Sequence, residues 1–505
     1  MSTVDSRPAK PGRGKEFFLL LLASSIGLCA WILADIGLAG DDAPFALPQS
    51  FLTVAPVALL VVFAAHFIVR AVAPWADPIL FPSAVALNGL GLAMIHRIDA
   101  DLIAWGGAAQ ARGQLILSAG GIVLMLATVI AIRDHRRLRK FTYISLILAI
   151  VCLLAPMLPV IGREVYGARL WINVLGFSYQ PAELAKIFLA IFFSGYLVSQ
   201  RDNLALAGPK VLGIQLPQLR HFAPILVAWV ACLGILAMEN DFGTALLFFG
   251  LFVAMLYVAT ERISWIIIGL LLSAGGIFGI VKLLPRIQAR IDIWLHAFDP
   301  DIYNADFGSY QLVQGWFGMG AGGLFGTGLG KGFPSNSFAA NSDFIIPSLA
   351  EELGLAGVLA IMCIFMLLIS RAFNAGLHLH DGFGKLLAAG LGFTIAIQCF
   401  VVVGGVTRVI PLTGLAMPFL ALGGSALLTN WIIIGLLIRM SDGARRPQES
   451  PSTPLSMIDT GELNNLFGDD EAPSDADASS DGEAPVPEDA PDLDDGSQPT
   501  EVVKL

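Results

Sequence analysis

The pattern of apolar and polar positions divides this chain into long apolar runs separated by polar segments. The first run, near Phe17–Leu38, is too long for the core of a signal peptide. A helix needs about 20 apolar residues to cross the hydrocarbon core of a bilayer. The sequence therefore predicts an all-α polytopic membrane protein with twelve transmembrane helices, at residues 16–38, 51–73, 78–96, 114–133, 141–161, 181–199, 221–238, 243–260, 264–284, 344–370, 385–405 and 412–439.

Two segments between the predicted helices differ from ordinary hairpin turns. Residues 162–183 follow the fifth helix, and residues 285–342 lie between the ninth and the tenth. Loops longer than about 12–15 residues in compact proteins are usually functional or disordered. Because the second segment contains Trp294, Trp316 and several phenylalanines, we expect it to pack into an ordered structure.

Composition supports a lipid-embedded chain and separates an acidic tail from it. Hydrophobic residues make up 56% and charged residues 14% of the sequence, whereas soluble proteins carry about 25% charged residues. Residues 441–505 contain 17 acidic and three basic residues, so the formal charge of −10 comes from this end of the chain. Because this segment has few large apolar residues, we predict a disordered tail. No basic face indicates a nucleic-acid partner.

The distribution of Lys and Arg predicts the orientation in the membrane. Loops on the cytosolic side carry an excess of these residues. If the N-terminal segment 1–15 is cytosolic, nineteen Lys and Arg fall on the inner side and ten on the outer side. The run RDHRRLRK at 133–140 contributes most to this difference. We therefore expect both termini in the cytosol and the segments 162–183 and 285–342 outside.

Charged residues at the edges of the apolar runs are candidates for chemistry, because charges near lipid are costly. Glu183 and Lys186 are three residues apart and share one face of a predicted helix. They either form a local ion pair or, with Arg169, handle an anion such as phosphate. Glu351, at the start of another apolar run, either caps or pairs locally or contributes to a site.

Three aspartates in the 285–342 segment are candidates for a general base. A carboxylate there can take a proton from an attacking hydroxyl, and nearby arginines can hold a departing phosphate. Asp299, Asp301 and Asp306 are the available groups in FDPDIYNADFGSYQ. A turn-forming or solvated role is the alternative for each of them. The residue pattern alone does not distinguish among the three.

Five blocks of sequence resemble the SEDS family (shape, elongation, division and sporulation), which comprises the RodA and FtsW proteins. The block GARLWINVLGFSYQPAELAKIFLA is similar to the family pattern around QPSE-x-AK. The other four blocks follow in the family's order. They are ENDFGTAL at 239–246, YQLVQGWFGMGAGGLFGTGLGKG at 310–332, NSDFIIPSLAEELGLAG at 341–357 and VIPLTGLAMPFLALGGSALL at 409–428.

The resemblance implies a glycosyltransferase of the bacterial plasma membrane. SEDS proteins polymerise lipid II into glycan strands at the outer face of the membrane, together with a class B penicillin-binding protein. Their ten-helix core would correspond to residues 74–440, with an acidic cytosolic tail at 441–505. Residues 16–73 would form two extra N-terminal helices, as in actinobacterial members. The segment VVVGGVTRVIPLTG is more similar to the RodA branch, which acts in elongation and cell shape.

The resemblance also assigns roles to residues. The catalytic aspartate falls on Asp306, with Asp299 as the fallback, and undecaprenyl pyrophosphate would be the leaving group. We expect partial burial to raise the basicity of Asp306. A bound divalent cation is an open alternative for stabilising the leaving group, and no other cofactor is expected. The expected substrate-binding residues are Arg169, Trp171, Glu183, Lys186, Arg286, Arg290, Gln311, Asp343 and Glu351.

Two other functions remain open from the sequence. A flippase would move lipid II across the bilayer without forming a bond, and intramembrane charges such as Glu183 and Lys186 would then matter more than the loop aspartates. A scaffold would recruit the penicillin-binding protein without catalysis. The absence of evident inverted repeats and the large 285–342 segment favour the enzyme.

Overall fold

The computed structural model describes residues 14–40, 47–165, 168–174, 176–205, 210–211, 214–215, 219–283, 285–306 and 308–447. Residues 1–13 of the predicted N-terminal segment and residues 448–505 of the predicted tail lie outside these ranges. The described helices are α1 (Gly14–Ala39), α2 (Gln49–Val72), α3 (Leu80–Ala104), α4 (Ala111–Ala131), α5 (Thr142–Leu154), α6 (Pro181–Ala205), α7 (Leu219–Glu239), α8 (Phe242–Thr260), α9 (Ser264–Leu283), α10 (Pro285–Leu295), α11 (Pro300–Tyr303), α12 (Tyr310–Gly322), α13 (Ile345–His378), α14 (Gly382–Val406) and α15 (Gly424–Arg445).

Each of the twelve predicted intervals overlaps one of these helices. Among the described residues, nine helical segments are both long enough and apolar enough to cross a bilayer. Two shorter apolar segments, Ala223–Glu239 and Ser264–Ser273, lie in α7 and α9. The fold is therefore a mostly helical membrane protein, and the number of twelve crossings stays a prediction.

The helix predicted at 412–439 begins only at Gly424, the first residue of α15. Residues 407–423 are irregular. Pro411 and Pro418 interrupt this stretch, and proline removes the backbone donor that a helix requires. Arg408 and Phe419 have positive φ angles of 64° and 63°, which also end helical geometry. The apolar composition of residues 412–439 therefore does not distinguish a helix from an irregular segment that is largely shielded from solvent.

The two long predicted loops contain secondary structure. The 162–183 segment forms a three-stranded antiparallel sheet of β1 (Gly162–Val165), β2 (Ala168–Val174) and β3 (Phe177–Tyr179), in which β2 is central. A second, two-stranded antiparallel sheet joins β4 (Lys210–Val211) to β5 (Ile214–Gln215). The prediction of an all-α chain did not include these short strands, because strands of two to seven residues give little periodic signal.

The 285–342 segment is ordered through much of its described length and carries α10, α11 and α12. It is anchored at its base to Arg408. The Arg408 guanidinium donates hydrogen bonds to the carbonyl oxygens of Trp294 and Leu295 at 2.8 and 2.7 Å. Trp294 Nε1 donates to the Arg408 carbonyl at 3.0 Å, and Trp316 Nε1 to that of Val406 at 2.8 Å. These reciprocal bonds hold the segment against the end of α14.

Three clusters of buried apolar side chains hold the helices together. The largest lies among α2, α3, α4, α13, α14 and α15. A second cluster joins α5, α6, α7 and α8, and a third lies chiefly between α1 and α3. Close helix approach depends on small residues here, since Gly27 of α1 lies directly against Gly89 of α3.

The end of α1 contacts the glycine-rich part of the 285–342 segment. A Cβ atom on Gly37 would overlap the carbonyl oxygen of Leu329, and one on Gly330 would lie within 2.5 Å of the carbonyl oxygen of Ala34. The backbones therefore touch without intervening side chains. Helix α1 thus supports a segment that lies about 290 residues later in the chain.

We expect Gly37→Ala to lower the free energy of unfolding by about 1–3 kcal/mol, because the added methyl group overpacks this backbone contact. The matched control is Gly234→Ala on α7, where a Cβ would meet no atom within 4 Å. That control should be neutral or stabilising, since alanine favours a helix over glycine by about 0.5–1 kcal/mol. Thermal unfolding of the two purified variants in detergent measures the difference, and equal melting temperatures would contradict the contact.

Candidate functional site

An ion pair between Glu183 and Lys186 lies at the start of α6. Lys186 Nζ is 2.5 Å from Glu183 Oε2, and their side chains are only 1% and 8% exposed. Lys186 Nζ also donates a hydrogen bond to Gln398 Oε1 of α14 at 3.0 Å. Gln398 Nε2 in turn donates to the carbonyl oxygen of Ala416 at 2.8 Å. The pair is therefore local, as one sequence hypothesis expects, and it is also held by two other parts of the chain.

Asp241 lies beside this pair and caps α8. Its Oδ1 accepts from the backbone N–H of Thr244 at 2.9 Å and its Oδ2 from the Thr244 hydroxyl at 2.7 Å. Gln180 Nε2 donates to the same carboxylate at 3.4 Å. Burial raises the pKa of Asp241 and the Glu183 charge raises it further, while the bonds from Thr244 and the charge of Arg290 oppose the rise.

Arg290 of α10 connects this region to residues 412–413 and to Asp343. Its guanidinium donates to the carbonyl oxygens of Leu412 and Thr413 at 3.3 and 3.4 Å and lies 5.9 Å from the centre of the Phe242 ring. Burial raises the pKa of Asp343 to about 6, although the nearby Arg290 charge opposes the rise. Glu183, Lys186 and Asp241 are buried, whereas Arg290 and Asp343 are half-buried. We call these five residues the buried charge cluster, since each interacts electrostatically with another member.

An apolar cavity of about 360 Å³ leads to Arg290. Its walls come from α7, α8, α9, α10 and residues 410–413, and Trp229, Phe249 and Leu272 are among the side chains that line it. Arg290 is the cationic side chain of this lining. The arrangement places a positive charge at the margin of an apolar space, which suits a molecule with a charged head and an apolar chain.

The three loop aspartates lie at exposed positions near α11. Asp299 caps α11, since its Oδ1 accepts from the backbone N–H of Asp301 at 3.0 Å. Asp306 lies in the turn between α11 and α12, and its side chain is exposed. The partial burial that the sequence led us to expect for Asp306 is therefore not present in this structure.

Glu351 and Glu352 take separate roles on α13. Glu351 Oε1 accepts from the backbone N–H of Phe333 at 2.6 Å. Glu352 Oε1 accepts from Arg97 Nε at 2.7 Å, and both of these side chains are almost fully buried. Arg97 also donates to the carbonyl oxygen of Gly332 at 2.6 Å. This second polar centre ties α3 to α13 and to the 285–342 segment.

The remaining predicted substrate-binding residues lie outside the buried charge cluster. Arg169 of β2 pairs with Glu164 at 3.1 Å, and both side chains are more than half exposed. Trp171 is half-buried on the same strand, opposite Arg163. Gln311 Nε2 donates to the carbonyl oxygen of Phe338 at 2.7 Å. The side chain of Arg286 lies outside the described part of the structure.

Several residues of these centres are absent from the sequence-based site. Asp241 lies in the ENDFGTAL block and Gln398 is a polar residue within an apolar run, so each carried a signal. Arg97 likewise interrupts the apolar run before α4. Arg408 gave no comparable signal, because its partners are backbone carbonyls that become neighbours only in the fold.

The divalent cation of the sequence hypothesis finds no protein site in the described ranges. Among those residues, no three His, Cys, Asp or Glu side chains gather as a metal-binding group. The carboxylates of the buried charge cluster are instead paired with Lys186, Thr244 and Arg290. We therefore derive no step through a protein-bound metal.

Comparison with known proteins gives consistent matches. The family model FTSW_RODA_SPOVE, described as cell cycle protein, matches residues 78–446. The peptidoglycan glycosyltransferase RodA of Mycobacterium tuberculosis (strain ATCC 25618 / H37Rv) is 42% identical over 87% of this chain and 92% of its own length. A probable peptidoglycan glycosyltransferase FtsW of Geobacter metallireducens is 32% identical over 72% of this chain and 94% of its own.

Solved structures support the fold. One, described as "Structural coordination of polymerization and crosslinking by a peptidoglycan synthase complex", matches with a TM-score of 0.58 and 22% identity, over 74% of this chain and 99% of that chain. The rod shape determining protein RodA of Thermus thermophilus matches with a TM-score of 0.50 and 20% identity, over 74% and 98% of the two chains.

We expect Lys186→Met to destabilise the protein by about 3–5 kcal/mol, because it leaves the Glu183 carboxylate buried without its cation. The double variant Glu183→Gln, Lys186→Met removes both charges and should recover a large part of the loss. Unfolding in detergent, measured for both single variants and the double variant, gives the coupling energy. Strictly additive effects would mean that the pair contributes no interaction of its own.

Asp343 should give the fold a characteristic pH dependence. Its folded-state pKa of about 6 exceeds the unfolded value of about 3.9, so the protonated form stabilises the fold and this contribution is lost as the pH rises through 6. As the pH rises from 4 to 7, the melting temperature of the wild type should fall relative to that of Asp343→Asn. Asp301→Asn, at an exposed position, is the control. A difference from Asp343→Asn that stays constant with pH would be the contrary result.

Proposed function

Since the chain belongs to the FtsW/RodA/SpoVE family, we propose that it is a peptidoglycan glycosyltransferase that polymerises lipid II into glycan strands. The RodA relative is 42% identical and the FtsW relative 32%. This difference favours a role in cell elongation and shape maintenance. The SEDS core would occupy residues 74–440 behind two additional N-terminal helices at 16–73.

The observation that carries the proposal is the position of Arg290 between an apolar cavity and the buried charge cluster. Lipid II carries its pyrophosphate between a sugar and a long polyprenyl chain. The cavity walls suit part of the apolar chain, while Arg290 supplies positive charge for the pyrophosphate. A substrate of this chemistry would match the change from apolar to polar lining.

The proposed reaction is a single displacement with inversion. The Asp306 carboxylate accepts the proton of the acceptor GlcNAc 4-hydroxyl, and that oxygen forms a bond to the MurNAc anomeric carbon of the donor. The bond from this carbon to the pyrophosphate oxygen breaks, and undecaprenyl pyrophosphate leaves with the electron pair. Preorganised positive charge at the leaving group lowers the barrier, because it stabilises charge that develops in the transition state.

Because Asp306 is exposed, the hydration of its carboxylate must change when substrate binds. A carboxylate that is fully hydrated is a weak base, and removing its water makes it a stronger one. The acceptor sugar would cover Asp306 and exclude water from it, so desolvation would come from the substrate itself. The anchored base of the 285–342 segment limits the movement to the part that contains α11 and the following turn.

The proposed function also implies an orientation of the chain in the membrane and a partner protein. Both termini would be cytosolic and the 285–342 segment would face outward, where the sugars of lipid II are polymerised. A class B penicillin-binding protein would supply transpeptidation. The fold of this chain is similar to that of a protein solved in a peptidoglycan synthase complex that coordinates polymerisation and crosslinking. This similarity supports such an assembly.

A flippase is the competing function. The buried charges at Glu183 and Lys186 are compatible with it, since polar groups within a membrane often line transport routes. Their ion pair and the Gln398 contact, however, fix them in one packed arrangement. The glycosyltransferase is therefore the function that the geometry supports best.

We expect Asp306→Ala to lower the rate of polymerisation by about 100-fold or more, since a positioned general base contributes roughly 10²–10⁴-fold. Asp299→Asn is the matched control, because asparagine caps a helix as well as aspartate does. It should retain most of the activity. Gel analysis of glycan products from purified lipid II measures both variants, and the reverse order would assign the base to Asp299.

A further inference from the structure

A small polar pocket lies beside α12, apart from the apolar cavity at Arg290. It has a volume of about 200 Å³. Helix α12, the turn at 333–337 and the start of α13 form its walls. We call it the Glu351 pocket and define it by Gln314, Gly318, Phe333, Asn336, Ser348 and Glu351.

The Glu351 carboxylate is the charged group of this pocket. Its residue is 7% exposed, and Oε1 accepts the hydrogen bond from the backbone N–H of Phe333. The other oxygen, Oε2, faces Gly318, where a Cβ atom would lie 2.8 Å from it. Glycine at 318 therefore leaves room in front of a buried acceptor.

The chemistry of the lining favours an uncharged ligand that donates hydrogen bonds. Among the described side chains that line the pocket there is no Lys or Arg, so a phosphate would meet the Glu351 charge without compensation. Gln314 and Asn336 add amides that both donate and accept. Phe317 and Phe333, which are 58% and 72% exposed, add apolar faces at the same place.

The size of the pocket limits the ligand to one unit of a polymer. Pockets for whole small molecules have volumes of about 300–1,000 Å³, and this one is smaller. A sugar ring combines hydroxyl groups at its edge with apolar C–H faces. These two features correspond to the amide and carboxylate acceptors and to the exposed phenylalanine rings.

The pocket is linked to the part of the chain that carries Asp306. Gln314 Nε2 donates a hydrogen bond to the Tyr303 hydroxyl of α11 at 3.0 Å. The Tyr303 ring lies 5.4 Å from that of Tyr310, at the start of α12. A ligand in the pocket would therefore lie against α12, whose Gln314 contacts α11, and these two helices flank Asp306 on the chain.

We propose that the Glu351 pocket binds one uncharged sugar residue of the glycan strand, remote from the bond being formed. The inference rests on the proposed function for the origin of the strand. A strand held at a second point remains bound between successive additions. The pocket would therefore increase the number of additions per binding event.

Direct binding tests the pocket independently of catalysis. The probe is a soluble trimer of N-acetylglucosamine, observed by saturation-transfer NMR with the full-length protein in detergent. We expect binding by the wild type and by Asp306→Ala. Glu351→Gln and Asn336→Ala should weaken the signal at least fivefold, and Asn304→Ala, an exposed asparagine of the same segment that does not line the pocket, should not.

Equal signals from the wild type and both pocket variants would overturn the inference, whether or not the protein polymerises lipid II. Glu351→Gln keeps an oxygen for the Phe333 N–H, and Asn336 is exposed at the mouth, so the second variant decides if the first fails to fold. Loss of all polymerisation in the wild type would instead contradict the proposed function and leave the binding result standing.

Product length provides the functional test. Glycans are compared at equal consumption of lipid II, so that a change in rate alone has no effect. We expect both pocket variants to shorten the strands about threefold or more, while Asn304→Ala gives wild-type lengths. An ammonium ligand is the competing occupant. If acetylating the peptide amine of lipid II shortens wild-type strands but leaves those of Glu351→Gln unchanged, the pocket holds that amine and the sugar assignment is wrong.

Discussion

The arrangement of this protein depends on compensating charges that lie within an apolar, lipid-embedded fold. A bilayer offers no water to a buried ion, so each charged side chain needs a partner from the protein. Lys186 has Glu183 and Gln398, and Arg97 has Glu352 and a backbone carbonyl. Because Gln398, Glu352 and Gly332 come from distant parts of the chain, their bonds to Lys186 and Arg97 also position the helices.

The polar loops are fixed by the same kind of interaction. Arg408 uses backbone carbonyls of the 285–342 segment as acceptors, and Arg290 uses those of Leu412 and Thr413. These contacts hold the 285–342 segment against the end of α14 and keep Arg290 at the margin of the apolar cavity. The Glu351 pocket adds a polar surface with one carboxylate, which would repel a phosphate and can accept hydrogen bonds from the hydroxyl groups of a sugar.

The sequence predicted the helical membrane fold because a run of about 20 apolar residues is the length that a helix needs to span a bilayer. It also identified Glu183 and Lys186, which are neighbours on one helix turn. It could not identify Arg408, whose acceptors are backbone atoms, or the late start of α15, where apolar composition hides an irregular segment. The exposure of Asp306 is likewise a property of the folded turn, so the expected burial had no basis in local sequence.

The most direct measurement of the central claim uses detergent-solubilised protein, its cognate transpeptidase and purified lipid II. In detergent there is no sealed bilayer, so transport cannot contribute to the result. A glycosyltransferase should form ladders of glycan products in this sample. The opposite result would be no products in detergent and movement of lipid II from one leaflet to the other when the same preparation is reconstituted in sealed vesicles.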